Sequence, residues 1–147
     1  MTKFSILVHR SDYMNNELYE SIKNKDYHLI RESIYSIAIL DKRPATKGHI
    51  LVMPKMPIET FGDIDNKVVR GDLMALMHKV ATKDMDKDYT IVCHNGESAG
   101  QTDSQVHFHF IPRDDKDNLN FDLPHNTSIN VDEVLEDIKV KRAEKLK

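Results

Sequence analysis

The chain has 147 residues, of which 39% are apolar and 31% are charged, and its formal net charge is −3. This length fits one compact domain with a sizeable core, and the composition is that of a globular protein rather than a disordered one. The slightly negative charge gives no reason to expect nucleic-acid binding. The single cysteine excludes an intramolecular disulfide framework and a multi-cysteine zinc site.

The N-terminus and the hydropathy of the chain bear on its location. No apolar run approaches the roughly 18 residues of a membrane span. The apolar run within residues 1–9 is short and is followed by no small-residue cleavage site, so a signal peptide is not expected. We therefore expect a cytoplasmic enzyme or binding protein without a membrane partner.

The first half of the chain predicts a helix and a hairpin. Residues 13–24 are typical of a short helix. Residues 34–40 and 49–53 are rich in β-formers, and the short connector between them contains Pro44 and Gly48. Such a connector predicts an antiparallel hairpin.

The second half predicts a long helix, two more strands and a final helix. Residues 66–82 place apolar side chains along one stripe, formed by Val69, Leu73, Leu76, Met77 and Val80. Just before it, Asp63 and Asp65 are suited to capping the free amides. A third strand at 89–94 runs through a loop, 95–102, into a fourth strand, so these two strands are expected to be antiparallel neighbours.

The final helix, predicted over 131–147, is marked by an apolar set made of Val131, Val134, Leu135 and Ile138. No repeat or boundary divides the chain. The sequence therefore predicts one α+β domain over residues 1–147, an antiparallel sheet with helices on one face.

The fourth strand carries the chemistry. Side chains two residues apart share a face of a strand. One face of this strand is therefore predicted to carry Gln105, His107, His109 and Ile111. The other face is predicted to carry Val106, Phe108 and Phe110. Histidine has an unperturbed pKa of about 6.5, which leaves a neutral, nucleophilic ring at physiological pH.

Three interpretations of these two histidines follow from the residues alone. A fixed neutral imidazole can attack a phosphorus or acyl centre, while the second imidazole holds substrate oxygens or passes a proton, and the amides and hydroxyls of the 95–102 loop hold a phosphate. The pair can also be ordinary packed or surface histidines. Finally, it can supply two of three metal ligands, with His49 or His94 as the third, although no nearby carboxylate has ligand spacing.

Two segments resemble the histidine-triad (HIT) family. Residues 100–113, Gly-Gln-Thr-Asp-Ser-Gln-Val-His-Phe-His-Phe-Ile-Pro-Arg, are similar to the family's His-φ-His-φ-His-φ-φ strand, with φ apolar, after a Gly-Gln-Ser/Thr loop. Residues 39–55 are similar to its upstream segment, with an acid, a Pro, a Gly-His pair and a strand that ends in Pro-Lys. The resemblance extends over about residues 34–113 and implies a HIT-like antiparallel α+β fold.

The resemblance also implies an activity. HIT proteins bind nucleotides and cleave at the α-phosphate of nucleoside phosphoramidates or dinucleoside polyphosphates. A purine nucleotide or a nucleotide conjugate is therefore the expected ligand. The family's chemistry needs no metal and no cofactor, and many members are homodimers, so the resemblance implies a homodimer here.

The roles of individual residues follow from the same resemblance. It implies that His107 is the nucleophile and forms a nucleotidyl-imidazole that water hydrolyses. It implies that His109 contacts phosphate oxygens or the bridging atom, that His49 lies behind the triad and that Asp41 holds the ribose hydroxyls. The remaining implied nucleotide-binding positions are Ile39, Leu40, His94, Asn95, Gln101 and Thr102.

Two positions depart from the family pattern. Gln105 occupies the first triad position, and glutamine cannot carry a proton near neutral pH. If that ring normally contributes, Gln105→His should raise the rate. His94 stands where many relatives carry Asn or Gln. The family's N-terminal Cys-x-x-Cys element is also absent, and the first 30 or so residues match poorly.

Two alternatives to the hydrolase or transferase stay open. In the first, the fold binds nucleotide as a sensor or adaptor, and Gln105 reflects weak or absent catalysis. In the second, the His-x-His pair belongs to a metal-dependent enzyme. Persistence of turnover in chelator and its loss in His107→Ala would favour the nucleotidyl-histidine route over both.

Overall fold

A computed structural model of the chain describes residues 14–146. The chain divides into two compact units, Met1–Asp117 and Asn118–Lys147. The single domain expected over residues 1–147 stays a prediction. The predicted start of the first helix, Tyr13, lies outside the described residues.

The described part of the first unit, residues 14–117, contains, in chain order, α1 (Glu17–Asn24), β1 (Leu29–Glu32), β2 (Ser36–Leu40), β3 (Ile50–Pro54), α2 (Lys67–Lys83), β4 (Tyr89–Val92) and β5 (Phe108–Pro112). Two single-turn 3-10 helices, Phe61–Asp63 and Glu97–Ala99, lie in the loops before α2 and β5. The strands form one sheet in the order β1-β2-β3-β5-β4, and every pairing is antiparallel. The predicted α+β class is confirmed.

The two predicted strand pairings are present. β2 and β3 form the hairpin, with Ala38 opposite Val52, and β4 pairs with β5, with Val92 opposite His109. The strand β1 was not predicted. It has only four residues with a bulge after Leu29, and its side chains are partly or fully exposed, so its sequence lacks the alternation that marks a half-buried strand.

Helices cover both faces of the sheet, which corrects the expectation that they lie on one. On one face, α2 packs against a cluster that includes Ala38, Val52 and Phe110. On the other, α1 packs through Leu18 and Ile22 against a second set of buried strand residues, namely Ile37, Ile39, Leu51 and Met53. A strand buried on both faces reads as a continuous apolar run, and the five residues of β3 are all buried.

The long helix α2 forms as its apolar stripe predicts. Its buried side chains are the five predicted ones, Val69, Leu73, Leu76, Met77 and Val80. The capping prediction was wrong, because Asn66 is the N-cap and accepts hydrogen bonds from the amides of Val68 and Val69 at 2.8 and 3.2 Å. Asp63 instead closes a capping box with Thr60 at the preceding 3-10 helix.

The histidine strand begins later than predicted. β5 starts at Phe108, because the residues before it bond to the segment that follows β3 rather than to a neighbouring strand. The amide of Val106 donates to the oxygen of Ile58 at 2.7 Å, and the amide of Ile58 donates to the side chain of Gln105 at 3.2 Å. As predicted, Val106, Phe108 and Phe110 all pack into the α2-side core.

The second unit contains α3 (Val131–Lys145), the predicted final helix. Asn130 caps it by accepting from the amides of Asp132 and Glu133 at 3.0 and 3.2 Å. Acidic residues occupy the first turn and basic residues the last, the order that the helix dipole favours. Among the described residues, the helices are too short or too polar to cross a membrane.

Candidate active site

A cleft of about 200 Å³ opens on the α1 side of the sheet. Its floor includes Leu51 of β3 and His109 of β5, which are opposite each other in the strand pairing. The turn after β2, the loop before β5 and the start of α1 complete its walls. The sheet therefore supplies a rigid base, and three connecting segments supply the polar groups.

His107 enters the cleft with one ring nitrogen already engaged. Its Nδ1 lies 2.7 Å from the backbone oxygen of Gln105. A carbonyl oxygen only accepts, so Nδ1 donates and carries the proton of the neutral ring. The lone pair is then on Nε2, and His107 lines the cleft. An imidazole fixed in this tautomer has a nucleophilic nitrogen available.

His49 and His109 form a directed hydrogen-bond chain behind the cleft. The amide of Ala45 donates to Nδ1 of His49 at 3.0 Å, so the neutral ring of His49 carries its proton on Nε2. That nitrogen lies 2.9 Å from Nδ1 of His109 and donates to it. His109 therefore keeps its own proton on Nε2, and it presents a donor to the cleft.

Burial keeps both rings of this chain neutral. Burial, followed by the charge of His107, lowers the pKa of His109 to about 3. Burial also lowers the pKa of His49, against the opposing attraction of Asp41. At neutral pH the pair is thus an uncharged donor system that is suited to binding phosphate oxygens through a hydrogen bond.

Asp41 completes a cluster with these two histidines. Its Oδ1 accepts from the amide of Arg43 at 2.8 Å, and its Oδ2 lies 3.5 Å from Nε2 of His49. One ligand atom each from Asp41, His49 and His109 lies within 4.8 Å of the others. The sequence-based objection to a metal site, that no carboxylate has ligand spacing, was therefore wrong.

The geometry of the two rings nevertheless favours a hydrogen bond over a chelate. The facing nitrogens of His49 and His109 are 2.9 Å apart, and the ring centroids are 5.1 Å apart, so the rings meet nearly end to end. Ligands of a tetrahedral metal converge on it at an angle instead of facing each other. A metal would have to replace the shared proton and rotate at least one ring.

Gln101 shapes the loop that precedes β5. Its side chain accepts from the amide of Gly96 at 2.8 Å and donates to the oxygens of Glu59 and Asp103 at 2.7 and 3.0 Å. The loop begins and ends at glycines with positive φ, Gly96 at 94° and Gly100 at 89°, a conformation that costs glycine little. Gln101 and the neighbouring Thr102 both border the cleft.

His94 is the third imidazole of the cleft. Its Nδ1 lies 2.8 Å from the oxygen of Ala99 and therefore donates to it, which leaves Nε2 with the lone pair in the neutral ring. The ring lies edge-on to His109, with the centroids 5.9 Å apart. The centroids of His107 and His109 are 4.8 Å apart, so the three rings are neighbours.

Gln105 lies behind the cleft and is buried. Its side-chain nitrogen donates to the oxygens of Pro54 and Met56, both at 2.8 Å, and its side-chain oxygen accepts from Ile58 at 3.2 Å. These three side-chain hydrogen bonds go to the last residue of β3 and to the segment after it. Gln105 contacts His107 through its backbone oxygen. Its side chain, at the position predicted to be catalytic, instead forms hydrogen bonds to backbone groups.

Three predicted nucleotide-binding residues are not among the cleft-lining residues. Asn95 bonds to the amide of Phe61 at 2.7 Å and to the sulfur of Cys93 at 3.4 Å. Ile39 is buried in the α1-side core, and Leu40 lies at the end of β2 with 37% of its surface exposed. By contrast, one cleft is lined by six of the predicted site residues, His94, His107, His109, Asp41, Gln101 and Thr102.

Several cleft residues had no signal in the sequence. They come from the start of α1, from the turn after β2, from β3 and from the segment just before β5, and they are Asn15, Glu17, Leu18, Arg43, Leu51 and Asp103. Asp103 accepts from the amide of Leu18 at 3.1 Å, across 85 positions of sequence. Of these residues, Arg43 is the one that the sequence could have suggested, because it lies two positions after Asp41.

The class of protein is indicated by the fold and the site and shown by a family match. In an α+β fold with an antiparallel sheet, two histidines lie at the start of β5 and just before it, after a Gly-Gln loop. Asp41 and His49, from the upstream hairpin, lie beside His109. The HIT domain family matches residues 23–116, and the chain therefore belongs to the HIT family.

Individual relatives agree with the family match. The chain is 33% identical over 128 residues to a HIT-like protein of Methanocaldococcus jannaschii, which covers 86% of this chain and 94% of that protein. It is 36% identical over 89 residues to the adenosine 5′-monophosphoramidase HNT1 of Saccharomyces cerevisiae, with 60% of this chain and 56% of that protein covered. A solved structure of a hypothetical protein from Leishmania major is 28% identical, with a TM-score of 0.76, and 90% of this chain and 96% of that chain are covered.

Proposed function

We propose that this protein is a nucleotide-binding hydrolase or nucleotidyl transferase that cleaves at the α-phosphate of nucleoside phosphoramidates or dinucleoside polyphosphates. The reaction proceeds through a nucleotidyl group covalently bound to Nε2 of His107. The substrate is a purine nucleotide or nucleotide conjugate. A relative named as an adenosine 5′-monophosphoramidase supports the substrate class.

The observation that carries the proposal is the tautomer of His107. The 2.7 Å hydrogen bond from its Nδ1 to the Gln105 oxygen leaves the Nε2 lone pair available in the cleft. Nε2 attacks phosphorus, the bond from phosphorus to the leaving group breaks, and water later displaces the nucleotide from Nε2. The backbone hydrogen bond also stabilises the positive charge that the ring acquires as it attacks.

The surrounding residues suit the phosphate and the sugar. The Nε2–H of His109 donates to a non-bridging oxygen of the phosphate, and its neutrality avoids a permanent charge in the buried wall. The carboxylate of Asp41 is an acceptor for ribose hydroxyls, with its position fixed by the amide of Arg43. Leu18 and Leu51 contribute apolar surface to the same cleft, which suits the base.

Two further functions have an observation in their favour. The burial of Gln105 as a backbone clamp fits a sensor or adaptor that binds nucleotide and turns it over slowly or not at all. The Asp41, His49 and His109 cluster fits a metal-dependent enzyme after rearrangement of the ring pair. A homodimer and a cytoplasmic location stay predictions.

The test is release of nucleoside monophosphate from a panel of adenosine and guanosine phosphoramidates and dinucleoside polyphosphates, measured in parallel with and without EDTA. His107→Ala removes the nucleophile. His78→Ala is the matched control, because His78 is an exposed residue of α2, outside the cleft. We expect release by the unmodified protein and by His78→Ala, and none by His107→Ala.

The other outcomes separate the alternatives. Nucleotide binding without release by the unmodified protein would favour the sensor or adaptor. Activity that EDTA abolishes and a divalent ion restores would favour the metal enzyme. Release that persists in His107→Ala would contradict the assignment of the nucleophile.

A further inference from the structure

A route through a nucleotidyl-histidine needs a proton to move twice, and this inference rests on the proposed function. In the first step an amine leaving group must gain a proton as its bond to phosphorus breaks. In the second step the attacking water must lose one. Both transfers need a group in the cleft that can hold a proton and can also give it up.

The two histidines of β5 and the segment just before it do not fit this role. During the reaction Nε2 of His107 is bonded to phosphorus, and its Nδ1 is held by the Gln105 oxygen. Nδ1 of His109 is occupied by the proton of His49, whose own Nδ1 accepts from Ala45. Because burial lowers the pKa of His109 to about 3, His109 gives a hydrogen bond but does not take up a proton at neutral pH.

The described charged groups of the cleft already have hydrogen-bond or ion-pair partners. Within residues 14–146, the titratable and charged residues that line it with the histidines are Glu17, Asp41, Arg43 and Asp103. Glu17 and Arg43 pair with each other at 3.1 Å. The two oxygens of Asp103 accept separately from the amides of Leu18 and Gln105, at 3.1 and 2.9 Å. Asp41 accepts from Arg43 and faces His49.

His94 differs from all of these. The Ala99 oxygen fixes its Nδ1 as the donor, so Nε2 is the nitrogen that remains for the cleft. The ring is only partly buried, so solvent can reach it, and it lies edge-on to His109. A partly exposed imidazole with one nitrogen anchored and the other available is suited to proton transfer.

We propose that His94 is the general acid and the general base of this active site. In its protonated form, Nε2–H gives its proton to the leaving group as His107 attacks and the bond from phosphorus to that group breaks. The neutral Nε2 then takes a proton from water as the water oxygen bonds to phosphorus. The electron pair of the phosphorus–nitrogen bond returns to His107, and both rings regain their starting states.

The test separates the two steps by the choice of leaving group. An adenosine 5′-phosphoramidate releases an amine, which needs a proton. The p-nitrophenyl ester of adenosine 5′-phosphate releases p-nitrophenolate, which does not. In His94→Asn, the side-chain amide keeps a hydrogen bond to the Ala99 oxygen but carries no titratable proton. His78→Asn, an exposed exchange on α2, is the matched control.

Formation and decay of the His107 adduct are followed in single turnovers by rapid quenching and mass spectrometry. With the p-nitrophenyl ester, we expect His94→Asn to form the adduct at the unmodified rate and to lose it about 100-fold more slowly, so that the adduct accumulates. With the phosphoramidate, formation should be slowed as well. His78→Asn should match the unmodified protein in every step.

The contrary outcomes are distinct. Unchanged decay in His94→Asn would overturn the inference and leave the proposed function intact. Adduct formation slowed equally with both leaving groups would show that His94 binds phosphate, and it would also overturn the inference. If the unmodified protein releases no nucleotide from any substrate, the proposed function falls and the inference falls with it.

Discussion

His94, His107 and His109 are one residue type in one cleft, but the three rings have different hydrogen-bond partners. The Gln105 oxygen gives His107 a free Nε2 lone pair. His49 gives His109 an Nε2–H donor, and the Ala99 oxygen accepts from Nδ1 of His94, which leaves the lone pair of the neutral ring on Nε2. An imidazole can donate or accept a hydrogen bond, and its hydrogen-bond partner determines which ring nitrogen carries the proton and which has the lone pair.

At the scale of a residue, Gln105→His should lower stability instead of raising the rate. The glutamine side chain makes three hydrogen bonds to backbone groups at Pro54, Met56 and Ile58, whereas a neutral imidazole has one donor and one acceptor. Leaving a buried backbone group unpaired costs roughly 1–3 kcal/mol. Chemical denaturation should show a loss of this size, with nucleotide release no faster than in the unmodified protein.

A faster reaction in Gln105→His at unchanged stability would contradict this account. It would show that the segment after β3 does not need the clamp and that an imidazole at this position contributes to the chemistry. Gln105→Glu is a useful companion change, because it keeps an acceptor for Ile58 but loses both donors.

The stability of the fold should also depend on pH through His109. Its pKa is about 3 in the folded protein and about 6.5 in an unfolded chain. Below about pH 6.5, His109 therefore binds a proton in the unfolded chain but stays neutral in the folded chain until the pH approaches 3. The free energy of unfolding should fall as the pH drops from about 6.5 toward 3, by at most about 1.4 kcal/mol per pH unit, and this contribution should be constant above about 6.5.

The comparison that isolates this effect is with His109→Gln, by urea denaturation between pH 4.5 and 7.5. We expect a shallower dependence in the variant over the acid half of the range. His49, whose pKa burial lowers, and Asp103, whose pKa burial raises, are present in both proteins. Parallel curves for the two proteins would show that His109 is not the group that resists protonation.

At the scale of an element, α1 is held at the cleft by groups far away in sequence. The amide of Asn15 donates to the oxygen of Thr102 at 2.9 Å, and the amide of Ser104 donates to the oxygen of Asn15 at 2.7 Å. The N-cap residue of α1, Asn16, makes no side-chain capping bond. Asp103 accepts from Leu18 in its place and thus caps the helix from another part of the chain.

Removing this cap should loosen α1 without unfolding the sheet. Asp103→Ala leaves the amides of Leu18 and Gln105 without their acceptor, at a cost of roughly 1–3 kcal/mol. Hydrogen exchange should become faster over Glu17–Asn24 and stay slow in α2. Asn66→Ala, which removes the cap of α2, is the matched control and should change exchange at the start of α2 only. Unchanged exchange in α1 of the Asp103→Ala protein would show that other contacts hold the helix.

At the scale of the whole molecule, the sequence predicted the parts that have a period or a fixed order. The stripe of α2, the hairpin of β2 and β3 and the pairing of β4 with β5 follow from local patterns, whereas a place for Asp41 near the histidines was implied only by the family resemblance. The wall formed by α1 and the cap by Asp103 join residues 85 positions apart, which no local pattern reports. The late start of β5, at Phe108, likewise depends on how Gln105 and Val106 bond to the segment after β3.

The division into two units makes its own prediction. The buried clusters of the described chain contain no residue beyond Phe110, and the cleft-lining residues end at His109. A chain ending at Asp117 should therefore still unfold cooperatively and release nucleotide. Calorimetry and the release assay on this truncated protein check it. Loss of the cooperative transition would show that residues 118–147 are needed for the fold of the first unit.

The most direct test of the central claim is the site of the covalent nucleotide. The unmodified protein is mixed with an adenosine phosphoramidate, quenched during turnover and digested, and the modified peptide is sequenced by mass spectrometry. We expect adenylate on His107 in the unmodified protein and no adduct in His107→Ala. Adenylate on His94 or His109 instead, or turnover by His107→Ala at the unmodified rate, would contradict it.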